Sequence, residues 1–171
     1  YFSDEQRYLT SRAVVQYLFQ GKPYEAISQL FVLPEHLGYK ILGVIPAFLL
    51  FFTGISLVLP ALFFSLFSVL NLYLIFLLAQ RIGGESKEAY FALILAVFSQ
   101  SLFYYSRHLM PYDVAMSFAL LSLYVGLSNR VTVKHSLICG FCSLCCFVTY
   151  NGYWALVGLA MIMHALRNSK S

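Results

Sequence analysis

The sequence predicts an all-α fold, namely a polytopic helical membrane protein with an extracytoplasmic loop of amphipathic helices. Of the 171 residues, 60% are hydrophobic, 18% are aromatic and 11% are charged, whereas roughly 25% are charged in an ordinary soluble domain. So few charged side chains could not cover a soluble globule of this composition. The composition therefore excludes a water-soluble domain, a disordered tail and a nucleic-acid-binding module, and it indicates the lipid bilayer as a partner.

The charged residues are short interruptions between long uncharged segments, a pattern typical of a chain that crosses a membrane several times. No charge lies between Ile41 and Gln80, and crossing the hydrocarbon core takes about 20 apolar residues. Tyr150-Asn151-Gly152 predicts a turn that divides the last uncharged segment into two short helices. We therefore predict about five transmembrane helices in residues 55–171, at 55–80, 88–105, 111–128, 135–149 and 153–166.

The first part of the chain, residues 1–54, is more polar and is predicted to be a loop that contains interfacial helices. Apolar residues recur there at helical spacing and predict a helix over 3–20 that ends at Gly21. These apolar residues are Leu9, Ala13, Val14, Tyr17 and Leu18. The segment 37–52 either crosses the membrane or lies in its interface. Its short length and its internal lysine and proline favour the interface.

The distribution of basic residues predicts the orientation of the chain. If the five later helices alternate in direction, one side of the membrane receives most of the basic residues, which are Arg81, Lys87, Arg130, Lys134, Arg167 and Lys170. Arg107 is the one basic residue in the short loops of the other side. The positive-inside rule makes the first side cytoplasmic. If the segment 37–52 lies in the interface and does not cross the membrane, residues 1–54 are on the extracytoplasmic or lumenal side. The chain also opens at Tyr1 without Met, so we expect a piece of a longer protein.

Four segments are similar, in the same order, to motifs of one family. They are Asp4-Glu5-Gln6-Arg7-Tyr8, Pro34-Glu35-His36-Leu37-Gly38-Tyr39, Arg81-Ile82-Gly83-Gly84 and Ser106-Arg107-His108-Leu109-Met110-Pro111-Tyr112-Asp113. The first resembles the D-E-x-R-Y signature of membrane glycosyltransferases of the GT-C class, within the group of protein O-mannosyltransferases and aminoarabinose (lipid A) transferases. In that family the signature follows the first transmembrane helix. The resemblance therefore implies a GT-C-like fold and a fragment without that helix and without the C-terminal part.

The resemblance implies a glycosyltransferase reaction. A sugar would move from a polyprenyl- or dolichyl-phosphate donor to a protein or lipid acceptor on the extracytoplasmic face, with inversion at the anomeric carbon. Such a transfer needs a carboxylate that accepts the proton of the nucleophile, and by resemblance this general base is Asp4. Glu5, its neighbour, is the second catalytic residue that the resemblance implies, and it would hold the loop together or contact the acceptor. The fragment itself is expected to be inactive.

Further residues are implied as ligands of the substrates. The departing phosphate gains negative charge, which cations stabilise. The candidates for substrate binding are Arg7, Tyr8, Glu35, His36, Lys40, Arg107 and Asp113. Some relatives carry a divalent cation near the second motif, and Glu35 and His36 could ligate one. Two adjacent residues do not make a metal site, so no cofactor is assigned and a divalent cation remains an open alternative.

Other interpretations of the same residues remain open. Arg107 could be an interfacial side chain that reaches the headgroups, and Asp113 could compensate a helix dipole. The four cysteines lie inside one apolar segment, where thiols serve as small apolar groups in helix packing, and not as a zinc site. The alternative function is a non-enzymatic polytopic membrane protein such as a transporter or a structural subunit.

Overall fold

The computed structural model describes residues 6–32, 36–53, 58–83, 85–99, 111–128 and 132–168, which form helices and turns without any strand. The predicted all-α class is therefore confirmed for these residues. Their helices are α1 (Gln6–Phe19), α2 (Pro23–Phe31), α3 (Leu37–Thr53), α4 (Val58–Gly83), α5 (Ser86–Val97), α6 (Tyr112–Gly126), α7 (Val133–Thr149) and α8 (Trp154–Asn168). A 3₁₀ turn, Asn151–Tyr153, joins α7 to α8 at the predicted position.

Helix α1 ends as predicted at Gly21, which has a φ of +70°. The Lys22 amide donates to the carbonyl of Tyr17 at 2.9 Å, and the Gly21 amide donates to that of Leu18 at 3.1 Å. These two bonds satisfy carbonyl groups that the helix leaves unpaired at its end. The following helix α2, which the sequence patterns did not predict, starts at a proline, a residue that favours the first helical turn.

The buried face of α1 differs from the predicted apolar face. Leu9 and Leu18 are each 49% exposed. The residues that α1 buries are Tyr8, Ser11, Val14 and Val15. The small Ser11 lies against Gly43 of α3, where a Cβ atom would be only 2.5 Å from the Ser11 Oγ. Close backbone approach between two small residues therefore selects this face, and periodicity of apolar residues could not reveal it.

Helix α4 is the one described helix that is long and apolar enough to cross a membrane, by length and composition. Three shorter helices are also apolar, namely Leu37–Phe52, Tyr112–Gly126 and Val133–Thr149. Pro60 lies in the first turn of α4, where its missing amide breaks no helical bond.

The predicted helix 88–105 ends earlier than its apolar sequence suggested. Helix α5 stops at Val97. The Phe98 amide still donates to Ile94, but the Ser99 amide donates to Ala96, three residues back, which is a tighter 3₁₀-type bond. The polar residues that begin at Ser99 interrupt the apolar segment at this point. The remainder of the predicted helix, from residue 100, lies outside the described residues.

Helix α6 is central to the bundle because it packs against α4, α7 and α8. Most of the residues that it buries are small, and they include Ala115, Ser117, Ala119, Ser122 and Gly126. The Ser122 and Ser143 hydroxyl groups lie 2.8 Å apart across the α6–α7 contact. Three of the four free thiols of α7 are buried, in agreement with their predicted role in packing.

The helices alternate in direction, and this places two arginines at one end of the bundle. Arg81, near the end of α4, donates to the Tyr124 carbonyl near the end of α6 and lies 3.7 Å from the centre of the Tyr124 ring. Arg167, near the end of α8, donates to the Leu127 carbonyl just beyond α6. Cations suit the negative ends of helix dipoles. We call this the arginine end, and we call the opposite end, with Tyr112, Thr149 and Tyr150, the aromatic end.

Replacement of Gly126 by alanine is expected to destabilise the bundle, because the new Cβ would lie 2.7 Å from the Ala160 carbonyl oxygen of α8. Such overpacking costs about 1–3 kcal/mol. Gly140→Ala is the matched control, since its Cβ would meet nothing within 4 Å, and it should leave stability unchanged or raise it by up to about 1 kcal/mol. The measurement is thermal exposure of the buried thiols to a fluorogenic maleimide in mild detergent. Equal midpoints for the two variants would contradict the close α6–α8 contact.

Candidate functional site

A histidine connects the start of α3 to the end of α7 at the aromatic end. His36 Nδ1 lies 2.7 Å from the Thr149 carbonyl oxygen. Because a carbonyl oxygen only accepts, Nδ1 carries a proton and donates in this contact. The ring also stacks on Tyr150, with centroids 5.4 Å apart and an interplanar angle of 12°. These two contacts determine the orientation of the His36 ring.

The neighbouring glycine makes this contact possible. A Cβ on Gly38 would lie 2.3 Å from the Thr149 Oγ1, so only glycine allows α3 to come this close to α7. His36 itself has a φ of +58°, which is uncommon for a residue with a side chain. We call His36, Gly38, Thr149 and Tyr150 the His36 clasp. Tyr112 at the start of α6 extends it, because its ring meets that of Tyr150 edge to face at 4.7 Å.

Asp113, in the first turn of α6, belongs to a buried network between α6 and α4. Its Oδ2 accepts a hydrogen bond from the Ser68 hydroxyl at 2.5 Å, and its main-chain carbonyl accepts one from the Asn71 amide at 3.0 Å. The Ser117 hydroxyl lies 2.7 Å from the Asn71 Oδ1 and 2.9 Å from the Asp113 carbonyl oxygen. Polar groups buried at a helix contact fix its register when they are satisfied in this way. We call these four residues the Asp113 network.

Lys40 lies inside the N-terminal helices. It is completely buried, and its Nζ donates to the Leu30 carbonyl, at 3.3 Å, near the end of α2. The Lys40 carbonyl oxygen accepts the Ser11 hydroxyl of α1 at 2.8 Å. A cation at the negative end of the α2 dipole stabilises this arrangement. Lys40 thus links α1, α2 and α3, and this position does not support the predicted contact with a phosphate.

Tyr8 is a core residue. Its side chain is completely buried, and its ring meets Phe64 of α4 edge to face at 6.4 Å. Burial raises the pKa of Tyr8 to about 12, although the positive charge of Arg12 acts in the opposite direction. The phenol therefore stays protonated at neutral pH and is no proton acceptor. The position attaches α1 to the bundle and does not support the predicted contact between Tyr8 and a substrate.

The structure brings together part of the predicted site. His36 and Asp113 both lie at the aromatic end, connected through the Tyr150 and Tyr112 rings. Tyr8 packs in the same apolar cluster as Phe64 and Val114, the neighbour of Asp113. Four predicted residues lie outside the described residues, namely Asp4, Glu5, Glu35 and Arg107. Arg7 lies in the first turn of α1, and its side chain is outside the described part.

Sequence analysis missed the partners of these residues. Ser68 and Asn71 are polar residues three positions apart within the long uncharged segment, so they share one face of α4. Asp113 and Ser117 have the equivalent spacing of four on α6. The polar face of each helix could therefore have predicted that α4 and α6 pack against each other through these residues. Thr149 and Tyr150 carried no comparable signal, because only the fold brings them to His36.

Metal binding finds no support in the described residues, where no group of three or more His, Cys, Asp or Glu side chains could hold an ion. Glu35, one of the two predicted candidates, is not among them. Comparison with known proteins found no family model, no curated protein and no solved structure that matches the chain.

Ser68→Ala is expected to destabilise the contact between α4 and α6, because it removes the hydrogen bond to the Asp113 carboxyl group and leaves a buried acceptor without that donor. The expected loss is about 1–3 kcal/mol. Ser65→Ala, three residues earlier on α4, is the matched control because the Ser65 hydroxyl bonds only to the Leu62 carbonyl of its own helix. Thermal unfolding in detergent measures both variants. If Ser65→Ala lowers the midpoint as much as Ser68→Ala, the network does not hold the two helices together.

Proposed function

We propose that the chain is part of a multi-pass membrane glycosyltransferase that moves a sugar from a polyprenyl- or dolichyl-phosphate donor to a protein or lipid acceptor. The observation that carries the proposal is the placement of three motif-bearing segments. The starts of α1, α3 and α6 pack at the aromatic end. In each of these three helices, the first turn contains the last residues of a loop motif that resembles the GT-C family. The arginine end lies at the other side of the bundle.

In this proposal the arginine end is cytoplasmic and the aromatic end is extracytoplasmic or lumenal. Helix α4, with 26 residues, is about 39 Å long and exceeds the hydrocarbon thickness of about 30 Å. Helices α6 and α7, with 15 and 17 residues, reach about 22–26 Å. Local thinning of the bilayer and interfacial tyrosines accommodate such short spans. The exposed apolar side chains, among them Leu66, Phe91 and Phe147, then face lipid.

The proposed reaction assigns the base to Asp4. Its carboxylate accepts the proton of the acceptor hydroxyl while the hydroxyl oxygen attacks the anomeric carbon. The bond between that carbon and the phosphate oxygen breaks on the opposite side of the sugar, so the anomeric configuration inverts and the carrier departs as its phosphate. Arg7 and Arg107 balance the charge that develops on this phosphate, since guanidinium groups donate two parallel hydrogen bonds to it.

The described residues have supporting roles in this scheme. The His36 clasp holds the second motif against the end of α7, and it directs Nε2 of the ring away from the Thr149 carbonyl. The Asp113 network fixes the start of α6, which follows the segment that contains Arg107. The Lys40 carbonyl, which accepts from Ser11, and the Tyr8 ring, which packs on Phe64, hold α1 in place. Helix α1 follows Asp4. Positioning of this kind keeps reacting groups within the narrow range of productive geometries.

The second candidate is a non-enzymatic polytopic protein such as a transporter. One observation favours it, namely the buried carboxyl group of Asp113 between two apolar helices, because ionisable groups within membrane helices often mark a transport pathway. Asp113 lies in the first turn of its helix and not at the centre, which is less typical of such a pathway. A structural membrane subunit remains the third alternative.

Asp4→Asn in the full-length protein is expected to lower sugar transfer by a factor of about 10²–10⁴, the usual contribution of a general base. The measurement is transfer from a polyprenyl-phosphate sugar to acceptor in isolated membranes, at matched protein levels. Glu25→Gln is the control, because Glu25 is an exposed carboxylate on α2 that the proposal does not use. Retained activity of Asp4→Asn would remove Asp4 as the base.

A cysteine introduced at Gln6, in a variant without the four native cysteines, should react with an impermeant maleimide on the extracytoplasmic side of intact cells or sealed vesicles. A cysteine at Lys87, which is exposed at the start of α5, should react only after the membrane is permeabilised. These results are expected because the predicted orientation places Gln6 on the extracytoplasmic side and the basic loops, including Lys87, in the cytoplasm. The reverse labelling pattern would overturn the orientation and with it the side of the proposed active site.

A further inference from the structure

Two guanidinium groups meet at the last turn of α6. Arg81 of α4 donates to the Tyr124 carbonyl, and Arg167 of α8 donates to the Leu127 carbonyl. These two carbonyl groups are three residues apart, which is about 5 Å on a helix, and each hydrogen bond spans about 3 Å. The two donating nitrogen atoms therefore lie within roughly 11 Å of each other. One small headgroup can reach both positive charges.

Arg81 is held in place but keeps donors available at the surface. The residue is exposed, and its guanidinium carbon lies 3.7 Å from the centre of the Tyr124 ring. Apart from the bond to the Tyr124 carbonyl, its N–H groups have no partner among the described residues. A guanidinium group presents two parallel donors to the oxygens of a phosphate, and contact with an aromatic ring restricts its motion. Arg81 therefore offers a preorganised pair of donors to an anion.

Compensation of helix dipoles uses only part of the positive charge at the arginine end. The ends of α4, α6 and α8 carry about half a negative charge each, and the starts of α5 and α7 carry about half a positive charge each. Among the described residues, the exposed Lys87 and Lys134 balance the exposed Glu85 and Glu88. With the two arginines added, an excess of about 1.5 positive charges remains. The arginine end therefore attracts an anion from outside the described helices.

Apolar side chains beside the arginines indicate that this anion belongs to a lipid. Ile82, next to Arg81, is 72% exposed, and Leu166, next to Arg167, is 56% exposed. From Val58 to Arg81, α4 rises about 34 Å. This length exceeds the hydrocarbon thickness of about 30 Å and stays within the roughly 40–45 Å of a bilayer with its headgroups. A phosphate at that depth, next to apolar chains, is the arrangement that a phospholipid provides.

We infer that the arginine end binds the headgroup phosphate of an anionic glycerophospholipid, with Arg81 and Arg167 as its two cationic ligands. The inference rests on the membrane placement proposed above and not on sugar transfer. A zwitterionic lipid fits less well, because its own ammonium group would lie against the excess positive charge. A soluble phosphate compound would match the arginines but not the apolar Ile82 and Leu166 beside them.

The test is native mass spectrometry of the full chain from nanodiscs with equal amounts of palmitoyl-oleoyl phosphatidylcholine and phosphatidylglycerol. We expect one retained phosphatidylglycerol, enriched about 25-fold, because each cation near an anionic surface contributes about fivefold. Arg81→Gln and Arg167→Gln should each lower the enrichment about fivefold. Arg81→Lys, which keeps the charge but loses the parallel donors, should also lower it. Lys22→Gln is the matched control, since it removes an exposed cation of the N-terminal helices, and it should leave the enrichment unchanged.

Several results would overturn the inference. Equal retention of the two lipids would exclude an anionic site, and an equal effect of Lys22→Gln and Arg81→Gln would show that only net charge matters. Displacement of phosphatidylglycerol by glycerol 3-phosphate would assign the site to a soluble phosphate. A chain that does not enter nanodiscs at all would overturn the membrane placement as well. Thiol exposure on heating shows that each variant is folded, so a lower enrichment reports on the arginine end.

Discussion

The rest of the structure depends on the close contact of α6 with three neighbouring helices. Many large apolar side chains of α4, α5 and α7 remain exposed, among them Leu66, Phe91 and Phe147, so apolar character does not distinguish the faces that become buried. Small residues and interhelical hydrogen bonds must then define which helix faces meet. Helix α6 supplies both, since Asp113 and Ser117 bond to α4, Ser122 contacts Ser143 of α7, and Gly126 meets the backbone of α8.

The two ends of the bundle follow from this central contact. At one end, two arginines donate to carbonyl groups at or just beyond the end of α6, where the helix leaves carbonyls unpaired. At the other end, the start of α6 brings Tyr112 to Tyr150 and so to the His36 clasp. The N-terminal helices attach there, because Tyr8 and Tyr39 both pack on Phe64 near the start of α4. One end is thus basic, and the other collects aromatic and polar groups.

The sequence identified several residues of the candidate site, but not their positions or their contacts. The resemblance named His36, Lys40, Tyr8 and Asp113, and the structure assigns them different positions. Tyr8 and Lys40 hold helices together in the interior, while His36 and Asp113 lie at the aromatic end. A motif identifies residues without stating which atoms they meet, so a role in packing and a role in binding look the same. Thr149, whose carbonyl oxygen accepts the hydrogen bond of His36, is 113 positions from His36 and was not predictable.

The sequence by itself determined the helical class, the end of α1 at Gly21 and the turn at Asn151–Tyr153, because these depend on local chemistry such as apolar content and the tolerance of glycine for positive φ. Only the tertiary structure decided which face of α1 is buried, where α5 ends and which hydroxyl groups meet across α4, α6 and α7. In helices that are apolar on most faces, such as α4 and α6, hydrophobicity does not distinguish one face from another. The choice depends on small residues and hydrogen bonds between segments distant in sequence.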